Sequence, residues 1–224
     1  MLIRDWMTKD VITVTPDTSM MHAAKLLKEH NIGRLPVVDE QGRIVGVVSD
    51  RDIKAASPSK ATTLDVHELY YLLDELRIKD IMTAKPIVCK PTDTVERCAM
   101  LMDENNIGGL PVVDENNRLV GVITDTDVFR VLIAITGVRH GGVQLGLQLS
   151  TQDGALMQVL DDLRAAGARI MSILTALETT EAQTRGVFIR MLPMDQAKED
   201  AIVEMIRAKH TLLYWAREEA HPQR

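Results

Sequence analysis

Asn31-Ile32-Gly33-Arg34-Leu35-Pro36-Val37-Val38-Asp39-Glu40 returns 75 residues later as Asn106-Ile107-Gly108-Gly109-Leu110-Pro111-Val112-Val113-Asp114-Glu115, with one replacement, Arg34 by Gly109. Other landmarks keep the interval. Met7-Thr8 maps onto Met82-Thr83, Pro16 onto Pro91, Gly46 onto Gly121, and Ser49-x-x-Asp52 onto Thr124-x-x-Asp127. A duplication this long and free of gaps predicts two copies of one supersecondary unit packed as a pair. Ligand sites in such pairs fall between the copies.

Each copy reads alike. A short β run (Val11 to Thr15; Ile87 to Lys90) ends at a proline, and a Ser/Thr/Asp cluster then caps a helix, Met20 to His30 or Val95 to Asn105. A strand follows at Leu35 to Val38 (Leu110 to Val113), then a polar turn at 39–42 (114–117). The strand Ile44 to Ser49 (Leu119 to Thr124) closes the unit, and Asp50 or Asp125 begins the next helix. The order β-α-β-β-α packs helices on one side of a small sheet, an α/β (α+β) arrangement.

Composition bounds the function. The 224 residues leave room for two or three small domains, and with 46% hydrophobic but only 3% aromatic residues the cores are aliphatic. A net charge of −6 argues against broad nucleic-acid binding, which needs a dense basic face, without excluding a local cationic pocket. Cys89 and Cys98, the only cysteines, are too few for a zinc site or disulfide framework and read as reduced thiols. The N-terminus lacks the apolar stretch of a signal peptide. The most apolar segment, Val128 to Val138, contains Arg130 and falls far short of the ~20 residues that span a bilayer. The expectation is a cytoplasmic protein with neither nucleic acid nor membrane as partner.

The repeat resembles the cystathionine-β-synthase (CBS) domain, and two in tandem resemble the CBS pair, or Bateman module. The matching features are the Met-Thr entry, the Leu-Pro-Val-Val-Asp strand, and Gly-Val-Val-Ser-Asp-Arg-Asp-Ile with Gly-Val-Ile-Thr-Asp-Thr-Asp-Val. On this reading residues 1–60 and 80–137 are the two domains and 61–79 a helical linker, with an amphipathic helix over Leu64 to Arg77. The resemblance implies adenosine-nucleotide binding (AMP, ADP, ATP or S-adenosylmethionine) in two clefts between the repeats. Asp52 and Asp127 would take the ribose hydroxyls, with Ser49 and Thr124 beside them. One cleft would combine Ser49, Arg51 and Asp52 with Val88, Gly109 and Pro111; the other Thr124, Thr126 and Asp127 with Thr13, Arg34 and Pro36. Arg34 stands where relatives place a phosphate-binding arginine, and Arg51 faces Thr126 in the same comparison. Each cleft then has one candidate arginine from a different strand, so the two sites are expected to differ. The competing structural reading makes Asp52 and Asp127 helix-start residues favoured by the dipole, and Arg51 a solvated surface arginine.

After Arg139-His140-Gly141-Gly142, a hinge-like stretch, the pattern changes. A strand over Val143 to Ser150 precedes a helix from Ala155 to Ala166 whose Leu156, Val159, Leu160 and Leu163 share one face, closed by Gly167. Strands follow at Arg169 to Leu177 and Gly186 to Leu192, separated by a turn at Glu178 to Thr184. Then come a helix from Gln196 to Lys209 and a last strand over Thr211 to Trp215. The order β-α-β-β-α-β is that of a ferredoxin-like sandwich. The string from Asp153 to Ile173 resembles the ACT domain, spanning roughly 143–217. Members of that family bind amino acids through the loop after the first strand, here Gln152-Asp153-Gly154-Ala155. Most relatives have Pro-Gly where this chain has Asp153-Gly154, and an acid there repels a carboxylate, so a purely dimerising domain is the competing reading. Tandem CBS domains followed by an ACT domain resemble the bacterial acetoin-utilisation regulators.

Six histidines show no H-x-x-x-H spacing, and no P-loop, Rossmann fingerprint or G-x-S-x-G is present. No metal site, catalytic residue or required cofactor is expected. His140 in the hinge reads as a solvated loop histidine. The leading expectation is a homodimeric regulatory sensor that takes an adenosine nucleotide as ligand and is read by an unidentified protein effector. The alternative is a structural or interaction subunit with vestigial clefts.

Overall fold

Several residues of the repeated phrase have a local duty. Asn31 and Asn106 adopt the left-handed conformation (φ 51° and 52°) that ends the preceding helix, a geometry asparagine tolerates better than most residues. Leu35 and Val37, like Leu110 and Val112, are buried. Asp39 Oδ1 accepts from the amides of Gln41 (3.0 Å) and Arg43 (2.9 Å), and Asp114 Oδ1 from those of Asn116 and Arg118 (both 2.8 Å). These are self-contained Asx turns, which is why a strand can end on Val-Val-Asp.

The computed structural model describes residues 1–57, 75–176 and 183–221. It divides into two compact units, Met1–Val128 and Phe129–Arg224. The first holds α1 (Met20–Glu29), β1 (Arg34–Val38), β2 (Ile44–Ser49), α2 (Asp50–Ala56), α3 (Ile78–Ile81), β3 (Thr83–Ala84), α4 (Val95–Glu104), β4 (Gly109–Val113) and β5 (Leu119–Thr124), and α5 (Asp125–Thr136) runs on from it. Ser19 caps α1 by accepting from the His22 amide, and Thr94 caps α4 by accepting from Arg97. Both antiparallel pairs, β1 with β2 and β4 with β5, carry a register shift at the same place, Val37/Val38 and Val112/Val113.

The predicted strands Val11 to Thr15 and Ile87 to Lys90 shrink to single parallel bridges, Val14 to Val37 and Cys89 to Val112. Prolines explain the contraction. Extending the ladder one way needs an amide on Pro36 or Pro111, and the other way one on Pro16 or Pro91, and proline has none. The predicted helix Leu64 to Arg77 falls almost wholly outside the described residues.

The repeats exchange their entry segments. Thr83 of β3 pairs with Val47 of β2, while Thr8 bridges Val122 of β5. The amides of Ile78 and Lys79 donate to Thr18 and Pro16 carbonyls (both 2.9 Å). Those of Ile3 and Arg4 donate to Asp93 (3.0 Å) and Pro91 (3.1 Å). Each Met-Thr entry therefore completes the sheet of the other copy. Gly46 and Gly121 allow the crossing. A Cβ on Gly121 would lie 2.6 Å from Met7 Sδ and 2.9 Å from the Thr8 carbonyl oxygen, and one on Gly46 would collide with Met82 Sδ. Gly121→Ala is expected to cost about 1–3 kcal/mol by overpacking, seen as a lower urea midpoint with an unchanged slope.

In the second unit β6 (Gly142–Ser150), α6 (Ala155–Ala165), β7 (Ile170–Ala176), β8 (Thr184–Met191), α7 (Gln196–Lys209) and β9 (Leu212–Glu218) form an antiparallel sheet of order β7-β8-β6-β9. That is the ferredoxin-like order the pattern predicts. Val143, Leu145, Leu147, Val187, Ile189 and Met191 of the sheet pack on Val159, Leu163, Ile202, Val203 and Ile206 of the helices. Two strands differ from expectation. β9 runs on to Glu218, three residues past Trp215, because Arg217 is held by Glu199 (2.6 Å) and Asp200 (2.8 Å) of α7, which conceals a strand end made of charged residues. β8 starts at Thr184, opposite Ser150, rather than at Gly186.

Asp162 ties α6 to the end of α7, accepting from Lys209 Nζ (2.6 Å) and meeting His210 Nε2 (2.8 Å). The hydrogen bond from Lys209, then that from His210, holds its carboxyl below the usual carboxylate range. A lowered folded-state pKa gives stability that is complete above the ordinary value of about 3.9 and is lost as pH falls through the lowered one. Asp162→Asn is therefore expected to lower the melting temperature at neutral pH and to shrink that gap in acid.

Candidate functional site between the repeats

The Ser/Thr-x-x-Asp motif builds the same device twice. At the start of α2, Asp52 Oδ2 accepts from the Ser49 amide (2.8 Å) and hydroxyl (2.7 Å), while the Asp52 amide donates to Ser49 Oγ (3.2 Å). At the start of α5, Asp127 Oδ2 accepts from the Thr124 amide (3.0 Å) and hydroxyl (2.7 Å), and the Asp127 amide donates to Thr124 Oγ1 (3.4 Å). These are reciprocal capping boxes. The carboxylates differ in exposure: Asp52 is half-buried and Asp127 is only 3% exposed.

Strand register sets the neighbours. Arg34 lies opposite Ser49 and Gly109 opposite Thr124. Pro36 receives the Val14 amide (3.1 Å), next to Thr13, and Pro111 receives the Cys89 amide (3.0 Å), next to Val88. Thr13, Arg34 and Pro36 thus lie on adjoining segments of the first repeat, and Val88, Gly109 and Pro111 hold the equivalent places in the second.

These segments approach the opposite repeat at the turns and at the strand starts. At the turns, the Ile44 amide donates to the Asn117 carbonyl and the Leu119 amide to the Gly42 carbonyl, both at 3.0 Å. At the strand starts, Arg34 crosses to the second repeat. A Cβ on Gly108 would lie 2.7 Å from Arg34 Nη2 and 2.8 Å from Asp125 Oδ2, and a Cβ on Gly109 would collide with Arg34 Nη1. The guanidinium occupies the room that two side-chain-free residues leave open. Burial draws Arg34 below the usual arginine range, and the Asp125 charge opposes this. Its reach brings Arg34 beside Asp125, the first residue of α5. Arg51 and Thr126 are exposed.

From sequence Asp125 is legible only as a helix start. Its counterpart Asp50 is ion-paired within its own helix to Lys54, whereas position 129, four residues beyond Asp125, is Phe129. The lost i,i+4 cation was the available signal: Asp125 has no cation at that position of its own helix, and its charge is felt instead by the Arg34 guanidinium from the other repeat.

In the second unit, Gly154 adopts φ 88° and α6 begins without a side-chain cap. The Ala155 amide makes a long bond to the Gln152 carbonyl (3.4 Å), and Gln152, Asp153 and Gly154 are exposed. Among the described residues no group of three His, Cys, Asp or Glu side chains could hold a metal ion, and no helix is long and apolar enough to cross a membrane.

A duplicated β-α-β-β-α module with exchanged entry strands and paired helix-start carboxylates is the class this geometry defines. The CBS-domain family model matches residues 3–59 and 78–134, and the chain belongs to that family. A CBS domain-containing protein of Dictyostelium discoideum is 34% identical over 134 residues, covering 60% of this chain and 92% of the relative. L-aspartate semialdehyde sulfurtransferase of Methanocaldococcus jannaschii is 37% identical over 131 residues, which cover 58% of this chain and 23% of that enzyme. The chain therefore spans under a quarter of that relative's length. Among solved structures, CBSX2 of Arabidopsis thaliana is 32% identical with a TM-score of 0.51, covering 59% of this chain and 94% of that one. CBSX2 in complex with AMP is 34% identical with a TM-score of 0.49, covering 59% and 96%. A candidate acetoin utilization protein (AcuB) of Vibrio cholerae is 28% identical with a TM-score of 0.50, covering 59% and 90%.

Proposed function

We propose that the chain is a regulatory, non-catalytic sensor that binds an adenosine nucleotide between its CBS repeats. The observation that carries the reading is Arg34 crossing from the first repeat to lie beside Asp125, at the helix start where Asp127 is held. A cation for phosphate and a buried carboxylate for ribose hydroxyls then belong to one end of one cleft. Thr124, Thr126, Asp127, Thr13, Arg34 and Pro36 are assigned to that cleft. Ser49, Arg51, Asp52, Val88, Gly109 and Pro111 are assigned to the other. The second cleft lacks the equivalent of Arg34, so the first is the tighter for a phosphorylated ligand. The ferredoxin-like unit is read as an ACT domain that dimerises the chain, with Gln152 to Ala155 as its ligand loop if an amino acid binds, and the whole as a relative of acetoin-utilisation regulators acting on a protein effector.

Isothermal titration with AMP, ADP, ATP and S-adenosylmethionine tests the reading. Binding with Kd of about 1–100 μM, weakened most by Arg34→Ala for the ligands with more phosphates, is expected. Silence for all four ligands overturns it. One observation favours the second reading, a structural subunit: each motif carboxylate already spends its Oδ2 on its own helix start.

A further inference from the structure

The chain's two cysteines occupy one spot in the second repeat. Cys89 lies on the parallel bridge beside Val112, its amide donating to Pro111 O (3.0 Å) and its carbonyl accepting from Val113 (2.9 Å). Cys98 is on the buried face of α4 with Val95 and Met102. Both are free thiols, 1% and 0% exposed, and they sit near enough for each to shift the other's proton affinity. The equivalent positions in the first repeat, 75 residues earlier, hold Val14 and Ala23, also buried. The same backbone is therefore built without sulfur at either place. Two separate differences between the copies bring two thiols together in one of them.

We propose that Cys89 and Cys98 form a dithiol–disulfide pair that exchanges with low-molecular-weight disulfides. The Cys89 sulfur attacks one sulfur of the small disulfide and breaks its S–S bond. The first small thiol leaves carrying one proton, and a mixed disulfide remains on Cys89. The Cys98 sulfur then attacks the Cys89 sulfur, and the second small thiol leaves with the other proton. Two electrons pass from the protein pair to the small disulfide, and no further reactant is needed. The order of attack follows from the pairing: the neighbouring Cys98 thiol holds Cys89 below the usual thiol range, while Cys89 together with burial pushes Cys98 up. Burial makes the first step wait on local opening of the repeat. The product ties α4 to the segment that carries Val88 and leaves the first repeat unchanged.

The test incubates the folded full chain with oxidised glutathione, blocks free thiols with an alkylating agent and weighs the intact protein. The expected product has lost two hydrogen atoms per chain, resists alkylation, migrates as a monomer without reductant and is restored by dithiothreitol. Two variants carry the first repeat's own residues, so the fold already accommodates them. C98A is expected to accumulate a stable glutathione adduct on Cys89, and C89V to remain unmodified. Two thiols that stay alkylatable at every glutathione ratio, or disulfides formed only between chains, overturn the pair. An adduct on C89V but not on C98A overturns the assignment of Cys89 as the attacking thiol.

Discussion

Asp127→Ala is expected to weaken adenosine-ligand binding by about 100-fold, about 2.7 kcal/mol, because it deletes a hydrogen-bonded, largely buried charge. It is also expected to cost about 1–2 kcal/mol of stability, since the Thr124 amide and hydroxyl lose their acceptor at the start of α5. The two losses separate in Thr124→Ala, which removes the hydroxyl but keeps the carboxylate. That variant should show most of the stability loss in urea titrations and little of the binding loss in calorimetry. Equal loss of binding in both variants would mean that Asp127 acts only by holding its helix, which is the structural-subunit reading.

The largest stability effect is expected at Gly142, the first residue of β6. Its φ of 88° disfavours any side chain, and a Cβ there would collide with the Met191 carbonyl oxygen and lie 3.1 Å from the Pro193 nitrogen. Backbone cannot swing aside as a side chain can, so Gly142→Ala is expected to cost about 3–5 kcal/mol, enough to melt much of the second unit at ambient temperature. Gly154 supplies the control. It has the same φ of 88°, but nothing lies within 4 Å of where its Cβ would be. Gly154→Ala should therefore show only the conformational penalty, about 1 kcal/mol. Thermal unfolding followed by circular dichroism distinguishes the two, and similar melting temperatures would remove the steric argument.

Much of this architecture was legible in the chain because local chemistry wrote it. The strands Ile44 to Ser49 and Leu119 to Thr124 and the helix starts at Asp50 and Asp125 are as the pattern predicts, since alternating apolar residues run into Ser/Thr-x-x-Asp boxes that form from neighbours alone. Errors gather where a partner distant in sequence decides. Val11 to Thr15 looks like a strand until the prolines opposite are known. The end of β9 looks like a charged tail until Glu199 and Asp200 of α7 claim Arg217. At the site, the motif carboxylates were visible as residue types, and Arg34 was visible as the one departure between two otherwise identical phrases. The Arg34–Asp125 proximity was not, because it depends on Gly108 and Gly109 leaving a passage between the copies, and no spacing within one copy encodes that.

The exchanged Met-Thr entries reach beyond the site. A fragment ending near residue 76 would keep α1, β1, β2 and α2 but would lack β3 and the segment whose Ile78 and Lys79 amides reach Thr18 and Pro16. Half of the pair is thus an open sheet with an orphaned edge and a spare strand of its own. The lowest-cost way to close it is to lend that strand to a twin and borrow one back. The covalent pair can be understood as such a mutual loan made permanent by joining the two lenders. Its cooperative unit is then the doublet: hydrogen exchange should find the central strands of both copies opening together, and neither repeat should survive separation as a folded monomer.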